Sequence, residues 1–349
     1  MIRKQAQAAL ALSLGLTIGL VGFTAHAADG ELGGPAVQRV HGPLSVMVLG
    51  SSGPQMQPSG RASAGYLVFT DGHPRVLMDL GSGTFKSIAQ SGANIGRLNY
   101  ILLSHLHIDH SSAVPGVIKG IYFQGRMSGS MHTDPIQVYG PDAWPSGFQF
   151  SGMFPSTSQF MDALFGPSGI YRYLKPFVDG ADGPPPLGVF GYQAHNLSPI
   201  YQGEPSIKTI VNDDGLVIQE IAVDHYEAPD IAYRIEYKGH SIVYTGDTDS
   251  STDNMSRLAQ GADILIYDTS ILDNVPPPVS PFHKRHTTPT RLGQVAAAAN
   301  PRELVLSHLT PVSLPNIVTI QHIIRDQGYT GKMSVAKDLK VYNVSDDQD

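Results

Sequence analysis

The run Tyr100–Ser112, YILLSHLHIDHSS, constrains this chain more than any other stretch. An apolar, strand-like run stops abruptly, and His105, His107, Asp109 and His110 follow within six positions. Alternate residues of an extended segment point the same way, so His105 and His107 can share one metal ion. Asp109 and His110, past the bend, can reach a second ion beside it. A lone loop histidine would be unremarked; H-x-H-x-D-H directly after an apolar strand is a ligand pattern.

Four residues leave two ions under-coordinated, so the fold must bring other donors to this turn. Three candidates stand at the ends of strand-like runs: His225 in AVDHYEAP, Asp247 in VYTGDTD and His308 in LVLSHLTP. Strand ends on one side of a sheet converge, which is the placement a shared site requires. A carboxylate at Asp247 can bridge two ions about 3.5–4 Å apart, with a hydroxide between them. Imidazole and carboxylate donors suit two divalent cations, zinc first, with manganese or iron as alternatives. Cysteine is absent from the chain, which removes thiolate ligands, disulfides and a lipoprotein attachment site.

From Leu44 onward, strand-like runs alternate with turn signals. LSVMVLG, AGYLVFTDG, RVLMDLGSG, LNYILLS and PIQVYGP read as strands, TFKSIAQSG and SSAVPGVIKGIYFQG as helices. Between Asp142 and about Ser206 the chain turns to Pro, Gly, Ser and aromatics, read as a long insertion with a helix near Thr157–Phe165. Its aromatics could close over the site as a lid, or simply pack against the body. GLVIQEIAVDH, a hairpin turning at Lys238-Gly239, ADILIYDTS, ELVLSHLTP and MSVAKDLKVYNV continue as strands, and TPTRLGQVAAAAN and LPNIVTIQHIIRDQGY as helices. Strands lead each half and helices follow, which predicts two β-sheets packed face to face with helices outside.

The series Asp79 in LMDLGSGT, NYILLSHLHIDHSSAVPG, His225, IVYTGDT and LVLSHLTP resembles the metallo-β-lactamase superfamily, and within it the ribonuclease Z-like branch. The resemblance covers most of residues 44–344 apart from the insertion. It implies an αββα four-layer sandwich of two mixed sheets flanked by helices. It also implies His105, His107 and His225 on one metal, Asp109, His110 and His308 on the other, and Asp247 bridging. Asp79 would orient a histidine ligand from behind. The stretch ADILIYDTSILDNVPPPVSPFHKRHTTP stands where such enzymes carry a His-Glu-Ala-Thr strand end and a His-Ser-Thr motif. His286 matches the latter histidine; Asp268 replaces the glutamate, and Tyr267 the histidine before it. His286 would contact an anionic oxygen or protonate a leaving group, with Asp268 on its other nitrogen. Asp109, His286 and Asp268 are thus the candidate catalytic residues.

The expected activity is hydrolysis of a small anionic ester, first a phosphodiester, then an arylsulfate, then a carboxylic ester or lactone. Asp247 stands where many β-lactamases of this superfamily have cysteine, which disfavours that activity, and the complete ligand set disfavours a non-catalytic scaffold. Only 22 positions separate His225 from Asp247, too few for the tRNA-gripping arm of bacterial ribonuclease Z. A formal charge of −7 without Lys/Arg runs is likewise a poor match to long nucleic acid. Residues 1–27 have the layout of a cleaved signal peptide: a basic start, an apolar run and AHA. Residues 28–43 would be a linker and 44–349 the catalytic domain, carrying the insertion at 142–206. A periplasmic or secreted protein without a stable membrane anchor is expected. Dimers are common among proteins of this resemblance, which leaves a homodimer open.

Overall fold

The computed structural model describes residues 36–181, 183, 185–274 and 280–344. The expected signal peptide and the start of the linker lie outside these residues. Ala36–Arg39, within the expected linker, form a 3-10 turn: Ala36 packs on the core, and Arg39 Nη2 donates to Leu339 O at 2.7 Å.

The first half contains β1 (Leu44–Gly50), β2 (Gly65–Thr70), β3 (His73–Leu80), α1 (Thr84–Ser91), β4 (Tyr100–Leu102) and α2 (Ile108–Ser111). It continues with α3 (Val114–Met127), β5 (Ile136–Pro141), α4 (Thr157–Phe165), α5 (Leu174–Asp179) and β6 (Tyr192–Leu197). The second half contains β7 (Lys208–Asp213), β8 (Leu216–His225), β9 (Ala228–Tyr237), β10 (His240–Tyr244), α6 (Asn254–Leu258) and β11 (Ile264–Asp268). It closes with α7 (Pro289–Ala299), β12 (Glu303–Ser307), α8 (Ile317–Asp326), β13 (Lys332–Val335) and β14 (Val341–Val344). Two seven-stranded sheets result, ordered β14-β1-β2-β3-β4-β5-β6 and β13-β12-β11-β10-β9-β8-β7. Each is mixed: an antiparallel meander at one end passes into parallel pairs at the other.

Side-chain alternation explains the layering. In β1, Leu44, Val46 and Val48 enter a core shared with Ile218, Ile231, Ile242 and Val305 of the second sheet. Met47 and Leu49 point the other way, into the core beneath α1, α3, α4 and α5. A third core lies between the second sheet and α6, α7 and α8. Strands buried on both faces therefore sit in the middle of an αββα sandwich, each apolar side chain contributing roughly 1.5–3 kcal/mol.

Two sequence expectations change here. MSVAKDLKVYNV is two strands in different sheets, β13 pairing β12 and β14 pairing β1. The crossing is pinned by Asp338, whose carboxylate accepts from Ser51 N, Ser51 Oγ and Ala62 N at 3.0, 2.6 and 2.7 Å. The 142–206 segment, expected as an insertion, supplies β6, the edge strand of the first sheet, along with α4 and α5. Met161, Phe165, Leu174, Val178 and Phe190 pack into the first sheet's outer core rather than over any site. Pro115 falls in the first turn of α3, where its missing N–H costs no hydrogen bond. Among the described residues, no helix is long and apolar enough to cross a membrane.

Candidate metal centre

Asp79 near the end of β3, the 105–110 turn beyond β4, His225 at the end of β8, and Asp247, Asp268 and His308 at or beyond the ends of β10, β11 and β12 meet at one edge of the sandwich. Strands running in the same direction deliver their C-terminal ends to a common rim, the usual place for a site in such sheets. His107 caps α2 with an extended backbone (φ −61°, ψ 150°). That backbone keeps His105 and His107 together while the following turn swings Asp109 and His110 inward. Two residues of the rim, Asp79 (φ 51°) and His308 (φ 54°), hold the left-handed backbone that side chains seldom adopt.

The side chains form two overlapping groups of potential ligand atoms. His105 Nε2 lies 2.9 Å from His107 Nδ1, which lies 3.3 Å from His225 Nε2. His110 Nε2 lies 3.1 Å from His308 Nε2, and Asp109 Oδ2 is 3.4 Å from the first and 3.3 Å from the second. Asp247 stands between the groups, its Oδ2 3.5 Å from His110 Nε2, 3.3 Å from His308 Nε2 and 3.8 Å from His225 Nε2. His105, His110, His225, Asp247 and His308 are buried, whereas His107 and Asp109 are half-buried and form the open side.

Outer partners decide which nitrogen of each ring faces inward. Nδ1 of His110 lies 2.7 Å from Asp79 Oδ2, Nδ1 of His105 2.8 Å from Asp230 Oδ2, and Nδ1 of His225 2.7 Å from Arg285 O. A carbonyl or ionised carboxylate oxygen only accepts, so Nδ1 of His110 and Nδ1 of His225 carry the proton and their Nε2 atoms turn a lone pair to the centre. His308 Nδ1 lies 2.6 Å from Ser270 Oγ, which itself donates to Asp268 Oδ1, so His308 also donates through Nδ1. Asp79 is held in turn by Ser104 N and Ser104 Oγ, both at 2.7 Å, and by Tyr244 Oη at 2.6 Å.

The electrostatics call for cations. Burial, then the neighbouring rings, hold His105 well below the usual histidine range, and burial brings His225 down to about 3. Both rings are therefore neutral lone-pair donors. Burial would lower His110 and His308 too, but Asp247 and Asp109 reverse it, lifting His110 well above its usual range and His308 to about 10. With their Nδ1 protons already committed, the extra protons would sit on two Nε2 atoms 3.1 Å apart in stacked rings. Divalent cations satisfy the same carboxylates without that conflict. Asp247 Oδ1 is buried and has no hydrogen-bond partner among the described residues, as an oxygen reserved for a cation would be. Nitrogen and carboxylate donors in these numbers fit zinc, manganese or iron.

His286 and Asp268 adjoin this cluster. His286 Nδ1 lies 2.8 Å from Asp268 Oδ2, and its ring stacks 5.6 Å from that of His308. His286 sits just before α7, which starts at Pro289 and is capped by Thr288: Thr288 Oγ1 accepts from Arg291 N at 3.4 Å. Tyr267 has a structural place. Its hydroxyl meets Ser250 Oγ at 2.6 Å, Ser250 meets Thr287 Oγ1 at 2.7 Å, and Thr287 donates to Thr248 O at 2.6 Å. That chain ties the His286 loop to the Asp247 loop.

Sequence reading missed Asp230, Ser104, Ser270, Tyr244 and the Arg285 carbonyl. The one available signal was Asp230 itself, an acid set in the apolar strand segment APDIAY. A serine hydroxyl or a backbone carbonyl leaves no such trace.

Comparison with known proteins agrees with this architecture. Residues 59–128 match the metallo-beta-lactamase superfamily model, and residues 163–309 match a beta-lactamase superfamily domain model. A ribonuclease Z of Mycobacterium marinum is 26% identical over 304 residues, covering 85% of this chain and 97% of that protein. Human tRNase Z, short form, superposes with a TM-score of 0.59 at 21% identity, over 85% of this chain and 98% of that one. A diphosphatase from the PhnP family superposes with a TM-score of 0.56 at 17% identity, over 86% of this chain and 96% of that one.

Proposed function

We propose that this chain, a member of the metallo-β-lactamase superfamily on its ribonuclease Z-like branch, is a small-molecule phosphodiesterase. The fold and relatives make it a metal-dependent hydrolase; the narrower activity is our reading. The observation that carries it is the His286–Asp268 pair, 2.8 Å apart and set beside the seven-residue cluster. The ribonuclease Z and diphosphatase relatives act on phosphate esters and anhydrides by name, which supports a tetrahedral phosphorus centre.

His105, His107 and His225 would hold one divalent cation, Asp109, His110 and His308 the other, with Asp247 between them. Such a pair supplies Lewis acidity, making water a nucleophile near neutral pH and offsetting charge on the ester oxygens. The chain's own residues do the rest. Asp268 takes the Nδ1 proton of His286 as a hydrogen bond, so Nε2 is the ring atom left to act. Protonated there, His286 steadies an equatorial oxygen or gives its proton to the departing alkoxide. Asp79, Asp230, Ser270 and the Arg285 carbonyl keep the ligand rings from turning. Half-buried His107 and Asp109 mark the side from which an ester enters.

Long RNA is a poor substrate on this reading. The whole span between His225 and Asp247 is β9, β10 and their turns, with no protruding arm. We also infer export, from residues 1–27; intact-mass measurement of protein recovered from the extracytoplasmic fraction would show a mature chain starting near residue 28.

The test is a p-nitrophenyl panel with zinc- or manganese-loaded protein: phosphodiester, phosphomonoester, sulfate, acetate and a lactone. Fastest turnover of the diester is expected. Strong sulfate turnover with none of the diester would replace this reading with an arylsulfatase.

A further inference from the structure

One wall beside the metal centre is aromatic, and no step so far uses it. A cavity of about 220 Å³ is lined by Trp144, Phe148, Phe150, Tyr201 and Tyr226, together with Gln149, Ile200 and Gln202. Its lining adjoins the cluster along the chain. Tyr226 follows His225, and Phe154, from the same segment as Phe148 and Phe150, meets the His107 ring edge-on at 5.3 Å. Glu227 joins the two regions: its carbonyl accepts from Trp144 Nε1 at 2.8 Å, and its carboxylate accepts from Arg285 Nε at 2.8 and 3.0 Å. The Arg285 carbonyl is the group that orients His225.

The pocket is built rather than left over. Tyr226 has a left-handed backbone (φ 59°), rare for a bulky residue and secured by its N–H donating to Asp224 Oδ1 at 2.8 Å. This turns the ring across Phe150, centroids 4.9 Å apart. Trp144 and Phe148 lie nearly parallel, 9° between planes. Aromatic faces of this kind prefer another ring, and apolar cavities of about 150 Å³ already admit benzene. Lys284 Nζ and Arg285 Cζ lie 5.1 and 5.2 Å from the centre of the Tyr226 ring that lines the pocket. Among the described residues, no carboxylate pairs with Lys284. A monoanion held between the pocket and the metal centre would meet that charge.

We propose that this pocket is a subsite for a planar ring on the ester group that is not displaced, so that the enzyme prefers phosphodiesters whose retained group is aromatic over those whose retained group is alkyl. The proposal rests on the phosphodiesterase reading for its substrate class but not for its ring binding. The ring can be a nucleobase, read at its edge by Gln149 and Gln202, or a plain aryl group.

Trp144 is the chain's only tryptophan, so its emission reports on the pocket without turnover. Zinc-loaded full-length protein would be titrated with phenylphosphonate, adenosine 5′-monophosphate and methylphosphonate. The first two are expected to change the emission saturably, and methylphosphonate is expected to leave it unchanged. Tighter binding of the nucleotide identifies a nucleobase subsite; tighter binding of phenylphosphonate identifies an aryl one. Phe148 is 46% exposed, so Phe148→Ala should fold normally while weakening both ring ligands at least five-fold. The same variant should lower the kcat/KM ratio of bis-p-nitrophenyl phosphate over methyl p-nitrophenyl phosphate about ten-fold. Equal responses to phenyl- and methylphosphonate, or an unchanged ratio, would overturn the subsite. If neither diester is hydrolysed but ring ligands still bind, the subsite stands and the phosphodiesterase reading falls.

Discussion

Asp230 Oδ2 lies 2.8 Å from His105 Nδ1, with both side chains fully buried. The same oxygen accepts the Asp247 backbone N–H at 3.2 Å. One carboxyl group near the start of β9 thus contacts the ring of one candidate ligand and the main chain of another. Asp230→Asn can keep an oxygen in place for both nitrogens while removing the acid. The expected result is a metal affinity about 10–100-fold lower, read by zinc competition against a chelating dye, with unchanged far-UV circular dichroism. Equal affinity in the two proteins would show that the acid is irrelevant to the centre.

His286 is the second test. If its Nε2 proton assists departure of the leaving group, His286→Ala should lower kcat by roughly 10²–10⁴-fold on diesters with poor leaving groups. On p-nitrophenyl diesters, whose leaving group needs little help, the loss should be much smaller. Asp268→Asn should follow the same pattern more weakly, because it loosens the ring without removing it. A uniform loss across leaving groups would move His286 from proton donor to simple contact with the phosphoryl oxygens.

The legibility of this fold from its sequence was uneven for physical reasons. Strands such as LSVMVLG and ADILIYD are apolar on both faces and bounded by turn residues, so their burial is written locally. The H-x-H-x-D-H turn is equally local. What could not be read depends on pairing between distant segments. KDL looks like the middle of one strand until Asp338 is seen bonded to Ser51 and Ala62, which bends the chain into the other sheet. β6 has the half-exposed, polar sequence YQAHNL of an edge strand, which no apolar period announces. Asp230 reaches His105 only because the second sheet's strands place it at the rim.

Glu220 provides a pH-dependent test outside the metal centre. It lies on the inner face of β8, 3% exposed, and among the described residues its one counter-charge is Lys208 Nζ at 4.0 Å. Burial, partly offset by Lys208, raises its pKa from 4.5 to about 7. The folded chain therefore holds a proton that the unfolded chain has already lost, and stability falls as pH rises from about 4.5 to about 7. Above that range the cost is constant. Glu220→Gln should leave stability near pH 5 almost unchanged and raise it at pH 8 by roughly 1–3 kcal/mol. Urea denaturation at the two pH values would check this, and parallel pH profiles would contradict it.

Two glycines with left-handed backbones separate fold from site. Gly239 (φ 83°), at the β9–β10 turn, has nothing within 4 Å of where a Cβ would stand. Gly239→Ala should therefore cost only the backbone strain, about 1 kcal/mol. Gly246 (φ 61°) precedes Asp247, and a Cβ there would fall 2.3 Å from Asp230 Oδ1 and 2.8 Å from Ser104 Cβ. Gly246→Ala must pay the same strain and also displace Asp230 or the Asp247 loop. Its loss of stability should exceed that of Gly239→Ala by about 1–3 kcal/mol. The displacement should also weaken zinc binding, which Gly239→Ala should leave untouched. Measuring denaturation and zinc competition on both variants separates the two effects, because backbone strain alone predicts equal stability losses and no change in metal affinity.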